Sequence, residues 1–231
     1  MESIETRERI LNASIHLFSK KGFDATRVDD IAKAANVNKA LIYYYFKSKE
    51  DIMDTIINSF LDRAVSIAMD FIHTSIVQMI KDGYLDIQPD RLHFISEEAV
   101  QLFLNNTYMF CEHVVDFMID NRYIIRVLMF ESLKNGRYHD ILFRLFNFTR
   151  DKNENPFYKT IYEADQDFTY SEEMMVFKLL FSIIPLVNFA AYYDNFKAIT
   201  SWDDEKLRGL LLGSFQRLVS SLISGHDILL R

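Results

Sequence analysis

Residues 36–53 read NVNKALIYYYFKSKEDIM, and the three adjacent tyrosines, Tyr43, Tyr44 and Tyr45, decide how the segment must sit. On an α-helix each residue advances by about 100°, so three consecutive rings cannot share one core. At least one points outward. Lys47 and Lys49 follow directly, which puts that outward ring beside positive charge.

Local signals frame this stretch. Asn38 is placed to cap a short helix over 39–46, and Ser48 to cap another with Asp51 at its N3 position. Upstream, Thr26 reads as an N-cap with Asp29 three residues on. Val28, Ile31, Ala32 and Ala35 then form a small apolar face, with Ala34 and Ala35 small enough to pack under Val37. Residues 4–21 place Ile4, Leu11, Ile15 and Phe18 at helical spacing, and Gly22 ends that run as a C-cap. A helix, a short helix, a tight turn and a short helix make helix-turn-helix grammar.

The whole chain of 231 residues is 49% hydrophobic and 26% charged, so it is globular and able to bury a core. Only 6 Gly and 3 Pro punctuate it, which predicts long helices. The one cysteine, Cys111, excludes an internal disulfide and fits a reducing cytoplasm. The N-terminus is too polar for a signal peptide. The longest apolar run, 179–191, falls short of the roughly 20 residues that span a membrane. A cytoplasmic protein is expected. Residues 1–50 carry nine basic and seven acidic side chains, a net of +2, which leaves −9 for the remainder of a chain whose net charge is −7. The mildly basic end is the one suited to an anion such as nucleic acid.

Between Thr26 and Ile52, TRVDDIAKAANVNKALIYYYFKSKEDI resembles the DNA-binding signature of the tetracycline-repressor (TetR) family of bacterial transcriptional regulators. Thr26, Ile31, Ala32, Ala35, Val37, Tyr43, Phe46, Lys49, Glu50 and Ile52 fill the family pattern in order. The upstream LFSKKGFDAT is similar to the end of the family's first helix. The family usually has Gly after the Ala pair. Here Asn36 stands there, the residue that best replaces Gly at positive φ. Asp29 occupies a position that sometimes carries a base-reading Arg; an acid there cannot contact phosphate and could at most accept from a cytosine amino group, and Asp29 is read as a charge favoured near a helix N-terminus.

The resemblance implies an all-α protein: a three-helix DNA-binding domain over 1–47 and a larger helical effector-binding and dimerisation domain over 48–231. Lys39, Ala40 and Leu41 would lead the recognition helix into the major groove, with Asn38 as its cap. Lys39 suits guanine O6/N7, and Ala40 and Leu41 suit a thymine methyl. Leu41 has a competing place in the small core. Tyr43 is the expected DNA-facing ring, and Phe46 turns inward. Of Tyr44 and Tyr45, one packs against the first helix and the other lies along the phosphates, Tyr45 being the preferred contact. Lys47, Lys49, Thr26 and Arg27 stand near helix starts, where phosphates are favoured. Lys20, Lys21 and Lys33 read as a solvated face.

Beyond residue 48, a connecting helix is expected over 48–80, a helix over 92–120 with Phe103, Phe110 and Phe117 on one stripe, and two more over 121–136 and 137–148. Residues 149–173 read as a loop around Pro156. Residues 172–225 read as two interface helices, the second carrying small residues at 209, 213, 214, 220 and 221 that permit close approach. The family implies that they pair with a second copy, giving a homodimer on a palindromic operator. By analogy a small, largely apolar effector is expected, with Asn106, Phe110, His113, Phe117, Phe181 and Asn188 as its candidate lining.

Enzymatic chemistry is not expected. Cys111 and His113 are two apart on a helix and face different directions, and no Gly-rich phosphate loop, HExxH or serine elbow occurs. No metal or cofactor is expected either. The alternative within the same fold is a DNA-binding protein that needs no effector.

Overall fold

The computed structural model describes residues 2–88, 91–142, 155–168, 176 and 179–224. The chain divides into two compact units, Met1–Arg63 with Asn121–Phe143, and Ala64–Asp120 with Arg144–Arg231. These units differ from the expected division into 1–47 and 48–231.

The first unit contains α1 (Glu2–Lys21), α2 (Val28–Ala34), α3 (Lys39–Tyr45), the first part of α4 (Lys49–Phe71) and α7 (Arg122–Ser132). Along α1 the inward stripe is Thr6, Ile10, Leu11, Ser14 and Phe18, all buried, whereas Ile4 is 69% exposed. The expected stripe was therefore right at Leu11 and Phe18 and missed Ile10. Buried Ser14 is satisfied within its own helix, donating to Ile10 O at 2.7 Å. Gly22 ends α1 at φ +81°, with its N–H on Phe18 O at 2.9 Å.

The α2–α3 connection is the expected tight turn. Asn36 adopts φ +52°, its N–H meets Lys33 O at 3.3 Å, and the Val37 N–H meets Ala32 O at 3.0 Å. This pair of bonds is the Schellman closure, and it needs a residue that tolerates the left-handed region. Ile31, Ala32 and Ala35 are buried, while Ala34 is exposed, so only one of the two alanines lies under the turn. Asn38 caps α3 by accepting the Leu41 N–H at 2.8 Å. Ser48 caps α4 by accepting the Asp51 N–H at 3.1 Å, and the Asp51 carboxylate accepts the Lys47 N–H at 2.8 Å.

Residues 121–143 complete this core. Ile125, Val127 and Leu128 of α7 are buried, α7 packs along α1, and Tyr138 meets the Phe23 ring edge-on at 5.2 Å. The expected helix over 137–148 begins as turns through 140; residues 143–148 lie outside the described ones.

In the second unit, α4 runs on into a π-helical segment (Ile72–Val77) and α5 (Gln78–Lys81). The expected connecting helix over 48–80 is thus helical from Lys49 onward, with Ser48 as its cap. A hairpin follows, β1 (Leu85–Gln88) paired antiparallel with β2 (Arg91–Phe94), Leu85 opposite Phe94 and Ile87 opposite Leu92. It corrects the expectation of helix from residue 92. The period-2 alternation of LDIQ buries Leu85 and Ile87 and exposes Asp86. Then come α6 (Glu97–Asp120), α8 (Pro156–Ala164), a π-helical segment (Leu179–Ile183), α9 (Ile184–Ala191), α10 (Tyr193–Thr200) and α11 (Asp204–Ser224).

Helix α8 corrects the expected loop over 149–173. Pro156 occupies the first turn, where its missing N–H costs nothing, and Asn155 caps by accepting from the Phe157 and Tyr158 N–H groups. Ile72, Val77, Met79, Leu85, Ile87, Ala99, Phe103, Ile161 and Phe168 form the core. Helix α11 buries Leu207 and Leu212 and packs on α6, where the Arg208 guanidinium donates to Asp116 Oδ2 at 2.8 Å and the Tyr108 and Ser220 hydroxyls meet.

A methyl at Gly22 would combine left-handed strain with a 2.6 Å approach to Phe130 Cε1. Gly22→Ala is expected to destabilise the first unit by about 1–3 kcal/mol, read as a lowered urea midpoint by far-UV circular dichroism.

Candidate nucleic-acid interface

Helix α3 is anchored from one side only. Ile42 is fully buried, and Phe46, just past the helix end, is 2% exposed, with the Arg7 guanidinium over its ring at 5.2 Å. Since α3 has seven residues, fixing those two leaves Lys39, Ala40, Tyr43 and Tyr44 to face outward. All four are exposed, Tyr43 by 50% and Tyr44 by 78%. Tyr45 is half-buried, its ring edge-on to Tyr44 at 5.0 Å. Leu41 is half-buried, between its two readings. Asn38 is exposed, with its carboxamide oxygen engaged as the cap. Arg27 and Lys47 are exposed on either side of α3 in sequence.

Two expected contacts are corrected. Thr26 neither caps α2 nor faces outward: it is 1% exposed, and its hydroxyl donates to Gly22 O at 2.8 Å. Arg27 occupies the N-cap position instead, its N–H reaching Asp30 Oδ2 at 3.4 Å. Lys49 is engaged within the protein by two of its three ammonium protons. Its ammonium donates to Phe23 O at 2.8 Å and Thr26 O at 3.0 Å, and lies 4.1 Å from the centre of the Phe23 ring. Its charge stabilises the α1–α2 loop.

Sequence reasoning missed one further residue and the partner of another. Glu131 of α7 is buried, and its carboxylate accepts the Phe23 N–H at 2.9 Å and the Lys134 ammonium at 2.8 Å. Lying 108 positions from Phe23, it left no local signal. Asp29, read as a helix-start charge, pairs with Lys39 at 2.9 Å. That hydrogen bond and its charge raise the Lys39 pKa above the ordinary lysine value, so the ammonium stays charged across the physiological range.

The six candidate effector residues differ in burial. Phe117 is buried, Phe110 stacks on Phe71 at 4.4 Å, and Asn106 is half-buried beside them in sequence on α6. His113, Phe181 and Asn188 are exposed. A groove of about 550 Å³ in the second unit is lined by Tyr108, Gly213, Gln216, Arg217, Ser220 and Ser221, and includes none of the six. Among the described residues no three His, Cys, Asp or Glu side chains form a metal-binding group, and no helix is long and apolar enough to cross a membrane. Burial pushes the Cys111 thiol up to about 11, which keeps it neutral and a poor nucleophile.

Known proteins show the same N-terminal pattern. The family model described as "Bacterial regulatory proteins, tetR family" matches residues 10–56. The "Biofilm operon icaADBC HTH-type negative transcriptional regulator IcaR" of Staphylococcus aureus (strain Newman) is 41% identical over 63 residues, 27% of this chain and 34% of IcaR. The match therefore spans about a third of that relative's length. The "Probable HTH-type transcriptional regulator YttP" of Bacillus subtilis (strain 168) is 26% identical over 145 residues, 58% of this chain and 68% of YttP. Among solved structures, GusR of Salmonella enterica superposes with a TM-score of 0.53 at 17% identity, covering 96% of this chain and 97% of GusR. At that identity the likeness shows the fold.

If Lys49 serves the loop, Lys49→Ala leaves two carbonyls short of a charged donor and costs about 1–3 kcal/mol of stability. A lowered thermal midpoint checks this. An unchanged midpoint would contradict the clamp.

Proposed function

We propose, for a chain that belongs to the TetR family of bacterial regulatory proteins, a repressor that binds a palindromic DNA operator as a homodimer and is released by a small, largely apolar effector. The observation that carries the DNA-binding part is the one-sided anchoring of α3. Ile42 and Phe46 fix the helix, and Lys39, Ala40, Tyr43 and Tyr44 stand exposed at the width of a helix that enters the major groove. Arg27 and Lys47 flank it as phosphate contacts. Thr26 and Lys49 act behind the surface, holding the loop that carries Arg27. Repression is the role that IcaR's own name gives it, and it enters here by analogy.

Dimerisation is supported by an apolar surface in the second unit. Phe181 and Ile184 are exposed, as is Leu210 of α11, and methyl groups built on Gly209 and Gly213 would meet nothing within 4 Å. Exposed apolar groups beside open glycines suit close approach of a second copy's helices. An effector that prefers a dimer whose two reading heads no longer match adjacent grooves would release the operator.

Random-sequence selection with the full chain is expected to enrich a palindrome, with half-sites about one helical turn apart. Light scattering should give twice the 27.3 kDa mass of one chain. Changing Lys39 and Tyr43 together to Ala should abolish enrichment while the circular dichroism spectrum stays unchanged. Lys47→Ala should weaken binding to every sequence and lower the salt slope by about one. Unaltered operator binding by the Lys39/Tyr43 variant would overturn the placement of the reading helix.

A further inference from the structure

Asp29 and Lys39 stand on different helices and meet outside the core. The Lys39 ammonium lies 2.9 Å from Asp29 Oδ1 and 3.1 Å from Oδ2, with the two side chains 51% and 68% exposed. An exposed pair of this kind contributes little to stability. A carboxylate beside a DNA-reading helix also repels phosphate, so it is unfavourable there unless it has a proton to accept.

The pair presents donor and acceptor side by side. The major-groove edge of a G·C pair presents the complement: guanine O6 accepts, and cytosine N4 donates. Those two atoms are joined by a Watson–Crick hydrogen bond of about 2.9 Å. The spacing of the Asp29–Lys39 pair therefore matches the spacing of the base edge it would face. Lys39 Nζ can donate to O6 while Asp29 accepts the N4 proton that points into the groove, and guanine N7 remains for a second Lys39 proton.

We propose that Asp29 and Lys39 act as one unit that reads a single oriented G·C pair in each half of the operator. The inference rests on α3 being the base-reading helix. Reversal to C·G sets like against like. T·A keeps a central acceptor and donor, but its methyl group stands where guanine N7 would accept. Expulsion of water on docking strengthens a charge pair that is weak in solvent.

Random-sequence selection with the full-length wild type, Asp29→Ala, Lys39→Met and the double variant tests this. The wild type should enrich G·C at one position per half-site. Asp29→Ala, an exposed change, should keep the wild-type circular dichroism spectrum and bind non-operator DNA at least as tightly at low salt. Its discrimination against C·G at that one position should fall roughly 5- to 150-fold, while other positions keep their preferences. Lys39→Met should remove far less discrimination at that position in the Asp29→Ala background than in the wild type. An unchanged preference in Asp29→Ala, or one loosened equally at all positions, would overturn the proposal and leave Asp29 as a tether for Lys39. A wild-type chain that enriches no sequence would instead overturn the reading of α3, and this inference with it.

Discussion

Gly22, Phe23 and Thr26 of the loop between α1 and α2 are buried, and a buried backbone must find hydrogen-bond partners. The N-terminal unit depends on how residues 22–26 find theirs. Gly22 turns through the left-handed region, Thr26 donates back to the Gly22 carbonyl, Glu131 accepts the Phe23 N–H, and Lys49 donates to the Phe23 and Thr26 carbonyls. Two helices far apart in sequence, α4 and α7, thus serve one loop. Glu131 and Lys49 are ionised groups spent on neutral amides, and charge-assisted hydrogen bonds of this type are stronger than neutral ones.

That clamp has a consequence for function. With the loop held, the start of α2 is fixed, and the Schellman closure at Asn36 with the Asn38 cap then fixes α3. Ile42 and Phe46 bind α3 to the core, so little of its orientation is left to side-chain packing elsewhere. A short helix, weak by itself, becomes a rigid presenter of Lys39, Ala40, Tyr43 and Tyr44. Cations that look interchangeable in the sequence divide into structural and surface groups: Lys49 inward, Lys47 and Arg27 outward, and Lys39 outward but paired.

Much of this was legible from local pattern. Asn36 at positive φ and the Asn38 and Ser48 caps follow from chemistry within four residues, the range over which capping and turn rules operate, while the inward Phe46 came with the family resemblance. The failures share a cause. Thr26 has the side chain of a cap, but a hydroxyl can equally donate four residues back, and burial decides between them. Lys49 reads as a phosphate contact until its 23- and 26-residue partners are seen. Glu131 is invisible for the same reason. Pro156 was read as a breaker although it suits a first helical turn. The strands at 85–94 are only four residues each, too short for alternation to outweigh the surrounding helical pattern. The candidate effector lining was drawn from spacing on α6 and residues near 181–188, and spacing on one helix says nothing about what faces it.

The central claim is that residues around α3 form the DNA-contacting surface, held from behind by the loop clamp. Hydrogen–deuterium exchange of the full chain, with and without a selected DNA duplex, tests it most directly. The account predicts new protection in peptides covering 27–30 and 38–47, with residues 22–26 already slow in the free protein. Protection elsewhere with 38–47 unchanged would contradict it.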